Sequence, residues 1–413
     1  MRVPRISTRL VDQADRDPDR PFVLCPDGEL SFGQMVEMAA RGAGFLQSLG
    51  ARRGDRVVTM LGNTVEAAVA FFACAHAGIA IVPLNPQHRG ELLRQMVSNV
   101  QPAVCIFDPA LVDEAQQAEL QVAAPRSKRV ANVLAIARSS DPAPMSTSAE
   151  DVLAIMYTSG TTGRSKGAVI GHPSFLATAA AYNETVEPRS DDVYFTTLPL
   201  FHGNALAMSL CGALDAGVSL AVTPKFSASG FFDQARRAGA TVTNVLGVMA
   251  PILLKTYEDP VRDHRLRMFI GGGMPIDQIK LLERRFGISY RELFGLTETG
   301  ITAGNRGSNM RAGSFGKPYS HVEMRIVPER KGVDTGEIQV RAIEPDVLLR
   351  EYWRDPEGSA MAFVDGWFKT GDRGSVDREG FFYFKGRIKD SIRRRGENIS
   401  PGEVEAVVNA LPG

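Results

Sequence analysis

The chain has few cysteines, no surplus of either charge and no uninterrupted apolar run of membrane-spanning length. Its four cysteines, Cys25, Cys74, Cys105 and Cys211, never stand at C-x-x-C spacing, which argues against a zinc site. A chain of 413 residues needs no disulfide staples, so they read as reduced core residues of a cytoplasmic protein. The 47 basic residues are matched by 47 acidic ones, so the positive excess required for non-specific nucleic-acid or membrane-surface binding is missing. A local basic cluster, Arg387, Lys389, Arg393, Arg394 and Arg395, reads as a solvated face or a local ligand contact. The first 21 residues are too charged for a secretory apolar region. The run from Ala67 to Leu84 approaches spanning length but is broken by His76 and Gly78, so it reads as a buried helix ending near Gly78, followed by a strand. No membrane span and no nucleic-acid partner are expected.

What the sequence does contain is repeated alternation of helix and strand. In the stretch after Ser31, Val36, Ala39, Ala43, Leu46 and Leu49 share a helical face, with Ser31 as cap and Gly50 as stop. The strand "RVVTM", a helix over 67–77, a strand over 79–82, a helix over 89–99 and the strand "AVCIF" follow. The same alternation resumes at "DVYFTTLP" and runs through helices starting at Asn204, Ser227, Met249 and Pro275 to "ISYRELFG". This is the pattern of an α/β fold: mostly parallel sheets flanked by helices. Residues 123–149 show no period and read as a surface excursion. From about residue 313 to 386, short alternating strands point to a small β-rich subdomain. The final segment "SPGEVEAVVNAL" has a capping box in Ser400 and Glu403 and Pro401 at the first helical position, so it reads as the opening of a further domain.

The stretch "YTSGTTGRSKG", Tyr157 to Gly167, has the donors of a phosphate cradle: hydroxyls, glycines and one lysine. It departs from the Walker pattern, because Lys166 follows Ser165 and Gly167 stands where a Mg²⁺-binding hydroxyl is required. The strand "DVLAIMYT" enters it and the strand "GAVIGH" leaves it. A helix N-terminus is therefore not its main anion donor; backbone N–H groups, hydroxyls and Lys166 must serve.

Five segments then follow in order: this loop, "LPLFHGN", "FIGGGMP" with "ELFGLTETG", "DGWFKTGDRG", and "GRIKDSIRRRGENISPGEVE". Together they resemble the adenylate-forming (AMP-binding) superfamily of acyl-CoA synthetases, peptide-synthetase adenylation domains and luciferases. "DDVYFTTLPLFHGN", "ATVTNVLGVM" and "RRRGENISPGEVE" resemble most nearly the carnitine/crotonobetaine and related small-acid CoA ligases.

The resemblance implies roles for particular residues. Thr158, Ser159, Gly160, Thr161, Thr162, Gly163 and Lys166 would hold the β- and γ-phosphates of ATP. Gly272, Gly273 and Met274 would line the adenine, with Phe294 stacking on it beside Gly295; the family usually has Tyr at position 294, so one hydroxyl is lost. Thr297 would touch the α-phosphate and Glu298 would hold Mg²⁺. Asp372 would bind the ribose, Arg387 the ribose or phosphate, and Lys389 would be the hinge. His202 would gate the acyl pocket, lined by Gly203, Asn204, Val245, Gly247 and Gly271. The division implied is a large N-terminal domain over 1–386, a hinge over 387–390 and the start of a C-terminal α+β lid over 391–413. The family's lid of roughly a hundred residues, a small-domain size, carries a lysine that completes the adenylation site. That lysine is not in this sequence, so the chain is expected to bind ATP better than it turns it over.

The implied reaction is ATP-dependent activation of a carboxylic acid to an acyl-adenylate, with release of pyrophosphate and transfer to coenzyme A. A carrier-protein thiol, an amine, or nitrite activation for N–N bond formation would leave the same ATP motifs. A lidless, inactive nucleotide-binding protein is the alternative from another class. The acid itself and a homodimer stay open at this point.

Overall fold

Short runs rich in Val, Ile and Ala, apolar on both faces, build two sheets whose centres are parallel, the arrangement expected when helices cover both sides. The computed structural model describes residues 5–131, 133–158, 165–308, 310–328, 330, 332–388, 392–394 and 397–399. The first sheet has six strands in the order Lys128–Val130, Val104–Phe107, Arg56–Met60, Ala80–Pro83, Val152–Thr158 and Lys166–Gly171. All neighbours are parallel except the last pair, where Thr158 lies opposite Lys166. The phosphate-loop sequence is thus the tip of a hairpin, as its flanking strands predict.

The second sheet has nine strands. Six of them, Ser289–Leu296, Met268–Gly271, Val242–Asn244, Val193–Thr196, Ser219–Val222 and Pro21–Cys25, run parallel in that spatial order. Gly300–Gly304 and Lys317–Pro318 extend one edge antiparallel, and Gly28–Ser31 closes the other. One apolar core joins residues of both sheets through the helices Phe32–Ser48, Val65–Ala77 and His172–Val186. A second core covers the other face of the six-stranded sheet beneath Gly90–Val100 and Glu114–Ala123.

The helix over Phe32–Ser48 starts where its cap chemistry dictates: the Ser31 hydroxyl accepts from the Gln34 N–H and the Gln34 side chain accepts from the Ser31 N–H. It buries Met35, Ala39, Gly42, Ala43 and Leu46. Val65–Ala77 is apolar around its circumference and is buried almost throughout, which accounts for its membrane-like composition. It ends on Gly78 at φ 67°, where a side chain would also collide with Asp151 and Arg53. His76 is buried and its Nε2 lies 3.0 Å from the Ala143 carbonyl, a satisfied packing histidine. Among the described residues no helix is long and apolar enough to cross a membrane.

A five-stranded antiparallel sheet, Val322–Pro328, Thr335–Ala342, Trp367–Val376, Phe363–Val364 and Phe382–Arg387, forms the β-rich part. It is tied to the nine-stranded sheet by a cluster of Phe294, Phe315, Ile338 and Phe382. Between its strands the chain returns to the first sheet. Residues Leu349 to Trp353 lie along the Lys166–Gly171 edge, with Arg350 N–H on Val169 O, Val169 N–H on Glu351 O and Trp353 N–H on Gly167 O at 2.7–2.9 Å.

Several elements differ from the sequence expectation. Residues 123–149 are not structureless: Lys128–Val130 joins the sheet edge and Val133–Ser139 is a helix, both too short to show a period. The helix expected from Ser227 begins at Phe231, because the Ser227 hydroxyl is engaged by the Gly230 N–H ahead of it. The helix from Asn204 is a π-helix over Asn204–Leu210 before it becomes α-helical at Cys211. Lys317–Pro318 belongs to the larger sheet, so the antiparallel unit begins at Val322. Cys74, Cys105 and Cys211 are buried and Cys25 half-buried, all four as free thiols. Lys389 and the helix expected from Ser400 lie outside the described residues.

An ion pair of Asp192 and Arg267 joins the starts of the Val193–Thr196 and Met268–Gly271 strands. Asp192 accepts from Arg267 at 2.6 and 3.1 Å, and Arg267 also donates to the Val186 carbonyl. Removing the acid leaves a half-buried guanidinium unpaired. Asp192→Ala is expected to lower unfolding stability by about 3 kcal/mol in urea titration, with Asp192→Asn losing less.

Candidate active site

Thr158, at the end of the strand Val152–Thr158, and a hairpin turn of the nine-stranded sheet meet at one carboxylate. Glu298 sits in the turn between Ser289–Leu296 and Gly300–Gly304, which is closed by the Thr299 hydroxyl accepting from the Leu296 N–H at 3.1 Å. Its Oε1 accepts from the Thr158 hydroxyl at 3.2 Å and from the Tyr352 hydroxyl at 3.0 Å. Its main-chain carbonyl accepts from the Leu349 N–H at 2.7 Å. Lys166, across the hairpin from Thr158, places Nζ 3.3 Å from an Asp355 carboxylate oxygen and 4.8 Å from the Tyr352 ring centroid. Burial, and after it the Glu298 charge, pushes the Tyr352 phenol far up, so it remains a donor. The Gly358 N–H and then the Lys166 ammonium hold the Asp355 carboxyl below its usual range, although partial burial opposes them.

Thr158, Lys166 and Glu298, expected from sequence to act together, are therefore brought together, and Thr297 occupies the same turn as Glu298. Ser159, Gly160, Thr161, Thr162 and Gly163 lie outside the described residues. The sequence reading missed Tyr352, Trp353 and Asp355. Their signal is the aromatic pair in "REYWRDPEG", which without a fold reads as an ordinary surface stretch. Trp353 anchors the segment through its indole N–H to the Asn99 carbonyl at 3.1 Å.

A second wall is made of glycines at strand ends. A side chain on Gly271 would meet the Val245 carbonyl at 2.5 Å and the Tyr290 hydroxyl at 2.8 Å, and one on Gly247 would lie 3.2 Å from the Gly272 carbonyl. Gly273 has φ 70°, and its N–H donates to Glu292 Oε1 at 3.2 Å. Val245, Gly247, Gly271, Gly272 and Gly273 thus form one surface, with Met274 buried at its end. Phe294 is buried and its ring stacks on Phe315 at 4.5 Å, so the face available to a ligand is the opposite one. Gly295 is exposed and packs on the Gly300 carbonyl too closely for any side chain.

Asp372 is buried, and its carboxylate lies 2.8 Å from Arg387 Nε, the two residues being paired across neighbouring strands. The Thr370 hydroxyl accepts from the Asp372 N–H and donates to Ile338 O, tying the pair to the phenylalanine cluster. His202 is half-buried, 4.7 Å from the Phe201 ring, and is followed by Gly203 and Asn204 at the start of the π-helix. The loop before it is pinned by buried Asn63, which accepts from the Leu200 N–H and donates to the Leu198 and Thr223 carbonyls.

The family model for AMP-binding enzymes matches residues 10–353. The chain belongs to the AMP-binding enzyme family. It is 32% identical to the indoleacetate–CoA ligase of Aromatoleum aromaticum over 97% of this chain and 81% of that protein. It is 31% identical to the crotonobetaine/carnitine–CoA ligase of Salmonella paratyphi B over 93% and 79%, respectively. Of solved structures, ATP-bound MatB from Rhodopseudomonas palustris covers all of this chain and 84% of its own at TM-score 0.85 and 28% identity. The N-terminal domain of FACL13 from Mycobacterium tuberculosis covers 92% of this chain and 100% of its own at TM-score 0.82 and 27% identity. Relatives named for different acids stand at nearly equal identity, so similarity alone selects no substrate.

Glu292, which the sequence reading did not single out, is a buried carboxyl beside the glycine wall. Burial pushes its carboxyl up to about 7, although the Met274 and Gly273 N–H groups pull the other way. A carboxyl raised in the folded state stabilises the fold at low pH and loses that contribution as pH climbs from its ordinary value to about 7. Glu292→Gln is therefore expected to gain stability relative to the parent between pH 5 and pH 8, by an amount on the order of 3 kcal/mol. Thermal unfolding across that range checks it; parallel curves for the two proteins would contradict it.

Proposed function

We propose that this protein activates a carboxylic acid with ATP, releasing pyrophosphate, and passes the acyl group to coenzyme A. The observation that carries the reading is the Thr158–Glu298 contact at 3.2 Å beside Lys166, which joins the phosphate hairpin to the "LTETG" turn. Membership in the AMP-binding family and relatives that are CoA ligases support it.

In the reaction a carboxylate oxygen forms a bond to the α-phosphorus while the bond to pyrophosphate breaks. The thiol sulfur then bonds to the acyl carbon, AMP leaves, and the thiol proton passes to solvent. Neither step needs a side-chain nucleophile, so placement and charge supply the catalysis. Lys166 exchanges Asp355 for phosphate oxygens, and the loop residues 158–163 donate to the β- and γ-phosphates. Thr297 contacts the α-phosphate. Gly272, Gly273, Met274, Phe294 and Gly295 enclose the adenine, and Asp372 with Arg387 takes the ribose. His202, Gly203, Asn204, Val245, Gly247 and Gly271 face the acid.

The oxygen donors of Glu298, Thr158 and Tyr352 fit a hard cation held mainly by phosphates. Bound there on Glu298, Mg²⁺ would offset phosphate charge. Full coverage of a solved N-terminal domain supports reading 1–386 as the large domain, 387–390 as its hinge and 391–413 as the start of a lid.

With Mg-ATP, the acid and coenzyme A, AMP and pyrophosphate are expected in equal amounts; ADP as product would overturn the reading. Lys166→Ala and Glu298→Gln are each expected to slow acid-dependent AMP release by about a hundredfold with the fold retained by circular dichroism.

A further inference from the structure

Resting on the ligase reading, we infer that Tyr352 is a positioning residue of the reaction: its hydroxyl holds the Glu298 carboxylate and its ring seats the Lys166 ammonium, so one uncharged side chain places both charged groups that meet the ATP phosphates. The hydroxyl donates to Glu298 Oε1 at 3.0 Å, and Lys166 Nζ stands 4.8 Å from the centre of the ring. The two contacts do not compete, because the first uses the phenolic O–H and the second the π face. Tyr352 is 8% exposed, so little water is at hand to replace either partner.

The backbone at Tyr352 is tied to the strand that carries Lys166. Ala168 pairs antiparallel with Tyr352, and the Trp353 N–H donates to the Gly167 carbonyl at 2.7 Å. On its other side the Tyr352 N–H donates to the Ser359 hydroxyl at 2.8 Å. Strand register therefore keeps the ring within reach of the ammonium. Gly358 leaves the room for this arrangement: a side chain there would come within 2.6 Å of Lys166 Nζ.

Charge separates Tyr352 from Asp355, the other partner of Lys166. The Asp355 carboxylate lies 3.3 Å from Nζ, and like charge turns it away when phosphates arrive. A neutral ring meets no such repulsion, so it keeps the ammonium in place in the free and the ATP-bound protein alike. The same logic applies at Glu298, an acid that has to stay beside phosphate charge: Thr158 and Tyr352 hold it as neutral hydroxyl donors. A phenylalanine at 352 would pack as well and still seat Lys166, but would leave Glu298 short of one donor. A leucine would lose both contacts.

The test is calorimetric and needs no acid. Mg-ATP and AMP are titrated into the full chain, into Tyr352→Phe and Tyr352→Leu, and into each of these combined with Glu298→Ala or Lys166→Ala. AMP lacks the β- and γ-phosphates, so its affinity reports whether a variant keeps a folded nucleotide site. Tyr352→Phe is expected to weaken Mg-ATP about tenfold, the size of a hydrogen bond to a charged group. Tyr352→Leu is expected to weaken it by a further factor of about three, with AMP unchanged in both. On the Glu298→Ala background the Tyr352→Phe loss is expected to vanish. On Lys166→Ala the extra loss of leucine over phenylalanine is expected to vanish, because nothing is left to position. Equal weakening of AMP and Mg-ATP, unchanged Mg-ATP affinity in both Tyr352 variants, or losses that add in full on those backgrounds would each overturn the inference. Failure of the parent chain to bind either nucleotide would overturn the ligase reading and this inference with it, and it is seen before any variant is tested.

Discussion

The Glu298 carboxylate is the point at which three parts of the molecule are joined. It projects from a hairpin of the nine-stranded sheet, takes the Thr158 hydroxyl from the six-stranded sheet, and takes the Tyr352 hydroxyl from the segment that returns out of the β-rich unit. A carboxylate accepting two hydroxyls in a half-buried site is held more firmly than a surface acid. A site assembled this way depends on all three parts being in register at once, which a single βα turn does not require.

This arrangement explains why the phosphate loop departs from the Walker pattern. A Walker loop rests on the N-terminus of the helix that follows it. Here Thr158 and Lys166 lie opposite each other on antiparallel strands, so the segment between them is followed by a strand and not by a helix. Side chains from elsewhere take over: Lys166 stands opposite Thr158 and is held meanwhile by Asp355 and the Tyr352 ring. The loop is compatible with hairpin geometry because its cation comes from the returning strand.

Much of this was legible in the sequence where one physical signal dominated. Parallel strands buried on both faces are short apolar runs, and Ser31 with Gln34, or Gly78 after an apolar helix, mark their own boundaries. The strand-to-strand setting of the loop followed from apolar segments on both sides of it. What could not be read was long-range. Tyr352 and Asp355 lie nearly 200 residues from Lys166 in sequence, and nothing local in "REYWRDP" says that it pairs with the 166–171 edge. The strand and helix within 123–149 span only 3 and 7 residues, below the length at which a period is visible. Gly271 read as room for a ligand, but only the fold shows that the Tyr290 hydroxyl already fills part of that room.

The two halves of the site are built from different physics, and this bears on how such a fold diversifies. The half proposed for the nucleotide is charged, and its contacts at Glu298 tie separate sheets together. The half proposed for the acid lies at the ends of the Val242–Asn244 and Met268–Gly271 strands, where glycines leave space. Under the proposed reading, selectivity for the acid can change while the contacts at Glu298 stay fixed, and relatives of similar identity bear the names of different acids.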